Sequence, residues 1–75
     1  MNFGEALEAL KDGFPVTREG WNGKGQYIAM QHPGAHSFMT LPYIFIVTVA
    51  GGRVPWLASQ TDLLADDWIN VRRDA

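Results

Sequence analysis

Cysteine is absent from this 75-residue chain, which excludes a disulfide staple and any thiolate zinc site. Histidine is scarce: His32 and His36 are the only two, too few to hold a metal without carboxylate help. No metal and no other cofactor is expected. Basic charge is scarce as well. Six Lys and Arg against eight Asp and Glu leave a formal net charge of −2, which argues against a nucleic acid polymer as partner, since that requires a concentrated basic footprint. A small nucleotide remains possible, because a few phosphates need only one or two cations and some backbone N–H groups. Long apolar runs are missing too. The longest, Tyr43 to Ala50, is far short of a bilayer span. The N-terminal Met1-Asn2-Phe3-Gly4-Glu5 lacks the basic region of a secretory signal. A soluble cytoplasmic protein with no membrane partner is expected. No internal repeat and no low-complexity segment is present.

The length fits one domain, residues 1–75. A chain this small hides only about 60% of the surface its unfolded form exposes, and the usual staples are missing. Yet 47% of its residues are hydrophobic and 12% aromatic. Self-association is the remaining way to enlarge the core, so a homo-oligomer is expected.

Phe3, Ala6, Leu7 and Leu10 recur at helical spacing. Asn2 can cap this stripe with Glu5 as the reciprocal partner, and Gly13 and Pro15 stop it. An amphipathic helix over residues 3–12 follows. Phe14 to Arg18 reads as a short extended piece, and Glu19 to Gly25 as a glycine-dense loop in which Asn22-Gly23 favours a turn with positive φ. Gln26 to Gln31 reads as a strand, and His32 to Thr40 as a loop broken by Pro33-Gly34. Leu41 to Ala50 reads as the central strand. Tyr43, Phe45, Val47 and Val49 face one way, while Ile44, Ile46 and Thr48 face the other. Both faces are apolar, which predicts cover by the helix on one side and a partner subunit on the other. Gly51-Gly52 reads as a two-residue hairpin turn. Arg53 to Trp56 returns as a strand that Pro55 confines to an edge. Ser59 and Asp62 form a second capping box for a short helix over 60–66, and Trp68 to Arg72 is the last strand. The expected class is α+β: a small antiparallel sheet of four to five strands with one N-terminal amphipathic helix and a short second helix. Asp66 and Asp67 then fall at the end of the second helix, where the macrodipole disfavours negative charge. A local rule broken twice hints at a role beyond stability.

No catalytic spacing stands out. Pro33-Gly34 separates the two histidines, and Ser37 and Ser59 have no evident base. Asp62 and Asp66 are four apart on one helical face, but acid–base work would need their pKa values driven apart. Binding chemistry is better supplied. Trp21, Tyr27, Trp56 and Trp68 are flat surfaces able to stack on a base, and each also suits a core. Trp21 differs in sitting among glycines, on a loop. There the Gly23-Lys24-Gly25 backbone can approach an anion beside the Lys24 ammonium. The helix start at Ser59-Gln60-Thr61 offers further N–H groups. Asp62 and Asp67 suit ribose hydroxyls, although capping explains Asp62 equally well. Aromatic plate, amide-rich loop, isolated cation and carboxylate together match a nucleotide better than a peptide.

Four stretches, Glu5 to Gly13, Val16-Thr17-Arg18-Glu19-Gly20-Trp21-Asn22-Gly23-Lys24-Gly25, Leu41-Pro42-Tyr43-Ile44 and Val54 to Trp68, together resemble the small phage and prophage family of Thoeris anti-defence type 2 proteins, in the same order through nearly the whole chain. The resemblance implies a non-catalytic sponge. Such a protein binds the cyclic ADP-ribose signals of bacterial TIR-domain sensors, and the Thoeris effector is then never activated. It implies a homotetramer with pockets between subunits, acting in the host cytoplasm, and in some members a separate site for cyclic dinucleotides of the CBASS defence system. Carried onto this chain, the pocket would use Trp21, Asn22, Gly23 and Lys24 together with Ser59, Gln60, Asp62 and Asp67. Arg53, in the hairpin, is the candidate for a second, dinucleotide-type site. The short Gly51-Gly52 turn leaves out the insertion that longer members carry. Two other classes compete: a small cyclic-nucleotide hydrolase using Asp62 and Asp66, and a protein–protein module anchored by exposed aromatics. The two pocket halves lie more than thirty residues apart, which allows them to come from different subunits.

Overall fold

Helix α1, Phe3–Lys11, begins and ends as its sequence directs. The Asn2 side chain accepts the Glu5 N–H at 2.8 Å and the Glu5 carboxylate accepts the Asn2 N–H at 2.9 Å, a full capping box. At the other end Gly13 takes φ 91°. The Phe14 N–H reaches the Ala9 carbonyl and the Gly13 N–H the Leu10 carbonyl, the bond pair of a Schellman stop that a residue without Cβ permits. Ala6 and Leu10, one turn apart, are fully buried. The computed structural model describes residues 1–71.

Five strands follow: β1 Val16–Arg18, β2 Tyr27–Gln31, β3 Tyr43–Val47, β4 Arg53–Pro55 and, after helix α2 at Gln60–Leu64, β5 Trp68–Asn70. They form one antiparallel sheet in the order β4-β3-β2-β1-β5. The α+β class is the one expected, and Pro55 lies on an edge strand, where a missing N–H costs no ladder bond. Four details differ from expectation. The middle of the sheet is β2, and β3 lies between it and the edge. The β3–β4 hairpin turns through Val49, Ala50 and Gly51, because the Thr48 N–H bonds to the Gly52 carbonyl at 2.8 Å; Gly51, at φ 89°, takes the left-handed position that closes a three-residue loop. Helix α2 stops at Leu64, so Asp66 and Asp67 lie beyond its end and escape the macrodipole conflict. The last strand ends at Asn70; Arg72, placed in it by the sequence, lies outside the described residues.

Cross-strand register divides the sheet into two faces. Val16, Ile28, Ile44 and Ile46 point toward α1, which packs on β5, β1 and β2. With Ala6, Leu10 and Trp68, Val16 and Ile28 make the fully buried core. Ile44 and Ile46 stay half-buried, for α1 does not extend over β3 and β4. The opposite face carries Tyr27, Ala29, Tyr43, Phe45, Val47 and Ile69, and no element of the described chain covers it. No helix among the described residues is long and apolar enough to cross a membrane.

Candidate functional site

The loop between β1 and β2 carries Trp21 at one end of the sheet. It leaves β1 through a turn in which the Trp21 N–H donates to the Arg18 carbonyl at 3.2 Å. A second turn spans Gly23 to Gln26, closed by the Gln26 N–H on the Gly23 carbonyl at 3.3 Å. Its third residue is Gly25, at φ 82°, the position that a type II turn reserves for glycine. The positive φ foreseen at Asn22-Gly23 therefore falls two residues later. Lys24 stands exposed at the corner of that turn. Gly23 is needed for room instead: a Cβ there would lie 2.5 Å from Val49 Cγ2 in the β3–β4 hairpin. The loop and the hairpin tip are thus pressed together.

Trp21 is half-buried. Its indole meets the Trp68 ring edge-on, with centroids 5.4 Å apart and planes at 77°, and its Nε1 donates to Asp62 Oδ1 at 3.1 Å. Trp68 is the hub of the aromatic cluster, touching Phe3 and Trp56 as well. It is fully buried, and its Nε1 donates to the Asp62 carbonyl at 3.0 Å. Of the four aromatics able to stack from their type alone, Trp68 belongs to the core, and Trp56 packs beside it. Trp56 still borders an open cavity of about 570 Å³ with Phe3, Leu7 and Tyr43, while Trp21 and Tyr27 line one of about 450 Å³ with Thr17, Arg18, Lys24, Gln26 and Asn70.

The carboxylates behave differently from expectation. Arg18, at the end of β1, donates from Nε to Asp67 Oδ1 at 2.7 Å and from Nη1 to Asp62 Oδ1 at 2.9 Å. The Gly20 N–H donates to Asp67 Oδ2 at 2.8 Å. Hydrogen bonding to Arg18 holds the Asp67 carboxyl below the usual carboxylate range against some desolvation. Partial burial alone would raise Asp62, but bonds from Arg18, Trp21 and Ser59 outweigh it and hold that carboxyl low too. The two carboxylates in turn raise the Arg18 guanidinium. A carboxyl held low is a poor general acid at neutral pH, so Asp62 does not suit the acid role of an acid–base pair.

Of the residues singled out, Trp21, Gly23 and Lys24 line the cavity, and Asn22 sits exposed between them. Asp62 and Asp67 support the loop from behind. Ser59 caps α2, its Oγ accepting the Asp62 N–H at 3.1 Å, and Gln60 opens that helix, exposed. The Asp62 side chain already serves this helix start, accepting the Ser59 N–H. The two halves of the site meet within one chain: Trp21 and Asp62 are 41 positions apart and hydrogen-bonded. Arg53 lies elsewhere, with its Cζ 5.8 Å from the Phe45 ring centre, on a groove of about 380 Å³ lined also by Gln31 and Tyr43. Sequence reasoning passed over Arg18. The signal was present: alternation along β1 puts Arg18 on the face of buried Val16, where a cation needs partners.

The chain matches the family model described as a Thoeris anti-defense 2-like domain (Tad2-like) over residues 1–71. It is 40% identical to "Thoeris anti-defense 2" of Bacillus phage SP01 over 81 aligned positions, covering 91% of this chain and 91% of that protein. The chain belongs to the Thoeris anti-defense 2-like family. That membership accords with the resemblance carried by the Trp21 loop and the Val54–Trp68 stretch, and assigns the chain to the anti-defence proteins of phages. Among the described residues no cluster of three or more metal-ligating side chains occurs.

Proposed function

We propose that this Thoeris anti-defense 2-like protein is a non-catalytic sponge that binds a nucleotide immune messenger, a cyclic ADP-ribose isomer, and withholds it from the defence effector in the host cytoplasm. The observation that carries the reading is the cavity of about 450 Å³ that joins an aromatic plate, Trp21, to the Lys24 ammonium and the Gly23–Gly25 backbone. In this reading adenine stacks on Trp21 and the pyrophosphate meets Lys24 and the turn. In this reading Asp67, whose side chain is 28% exposed against 13% for Asp62, meets a ribose hydroxyl through a lone pair beside those that Arg18 and the Gly20 N–H occupy. Ser59 and Gln60 contribute through the position of α2. The Arg53 groove is the candidate for a second, cyclic dinucleotide site. Self-association into a homotetramer would cover the open sheet face.

Trp21→Ala should abolish binding of cyclic ADP-ribose in calorimetry while circular dichroism and the oligomer stay unchanged; unaltered affinity would refute the role of Trp21. Separately, ligand held by excess protein should be recovered intact after the protein is heat-denatured and the supernatant chromatographed. Linear products would mean an enzyme instead.

A further inference from the structure

We propose that Arg18 is the positioning residue of the Trp21 pocket: by holding Asp62 and Asp67 together it fixes the plane of the indole on which the ligand stacks. This rests on the reading of Trp21 given above. The Arg18 side chain is only 15% exposed, and it bridges Asp62 in α2 and Asp67 in the connection before β5. Asp62 Oδ1 accepts both Arg18 Nη1 and Trp21 Nε1. One oxygen therefore sets the guanidinium and the indole together. Asp67 binds Arg18 through Oδ1 and the Gly20 N–H through Oδ2, so the residue next to Trp21 is tied to the same arginine. The edge-on contact with Trp68 supplies the remaining constraint on the ring.

Among the described residues the ion pairs of Asp62 and Asp67 are all with Arg18. Removing the guanidinium leaves two carboxylates without a cation between them, and their repulsion moves both anchors of the loop. Lysine cannot substitute. It is a single point charge without the planar fork that reaches two acceptors in fixed directions. Arg18 also borders the cavity, but its Nε and Nη1 donors are turned to the carboxylates, so its effect on ligand passes through Trp21.

The test uses ¹⁵N-labelled protein with Arg18→Lys and Arg18→Met. Proton exchange at the indole N–H of Trp21 is read by NMR, affinity for cyclic ADP-ribose by calorimetry, and folding by circular dichroism. Both variants should weaken affinity about tenfold or more. They should also speed exchange at Trp21, while the Trp68 indole, held by a backbone carbonyl, stays protected. If Arg18→Lys matches the parent in both readouts, or if affinity falls only with the folded fraction while Trp21 exchange is unchanged, the proposal is overturned. Should the parent itself fail to bind cyclic ADP-ribose, the ligand reading falls alone, and exchange at Trp21 still decides the role of Arg18. If Arg18→Met does not fold, Arg18→Lys carries the same decision.

Discussion

At Gly20 a Cβ would stand 2.8 Å from Asp67 Oδ2 and 3.4 Å from Arg18 Nη2. A side chain here must displace the charged network, since the backbone angle itself is not one reserved for glycine. Gly20→Ala should push Asp67 off both the Gly20 N–H and the guanidinium, costing about 1–3 kcal/mol for the disturbed bonds to charged groups. Urea unfolding measures this directly, and a change within about 0.5 kcal/mol, the scatter of ordinary surface substitutions, would mean that the network relaxes freely. Trp68 is legible only in part at this scale. Its size marks it as a core candidate or a stacking surface, and burial behind Phe3, Trp21 and Trp56 selects the first.

Among elements, the two helices are the most local features and the most readable. Each has a complete capping box, Asn2 with Glu5 and Ser59 with Asp62, written in residues three apart. The junction of β1, α2 and β5 is the opposite case, joined by Arg18 across 44 positions to Asp62 and 49 to Asp67. Its two carboxyls are both held below their ordinary values. Such groups stabilise the fold above their unfolded-state pKa, and that stabilisation is lost as pH falls through the native one. Stability should therefore be level near neutrality and drop below about pH 4. Asp67→Asn should flatten the drop. Thermal midpoints at about pH 7 and about pH 3 for both proteins check it, and equal losses in the two would remove Asp67 from the acid limb.

For the whole molecule, the open sheet face is the dominant unresolved surface. Ala29 lies near its centre, paired with Phe45, and Tyr27 and Val47 pair beside them. If self-association covers this face, Ala29→Arg should reduce the oligomer to monomer, as light scattering after size exclusion would reveal; an unchanged mass would place the contact elsewhere. The chain alone determined the α+β class, both helix starts, the Gly13 stop and the edge position of the Pro55 strand, because each follows from neighbouring residues and the periods of 3.6 and 2. It also set an aromatic and a cation, Trp21 and Lys24, among glycines on a loop, the feature on which the proposed ligand site rests. Tertiary structure decided which strand lies in the middle, because strand order depends on pairing rather than local pattern. It decided that the two halves of the site meet in one chain. And it turned Asp62 and Asp67 from free acceptors into anchors, because a guanidinium more than forty positions away lies between them only when β1 and β5 pair.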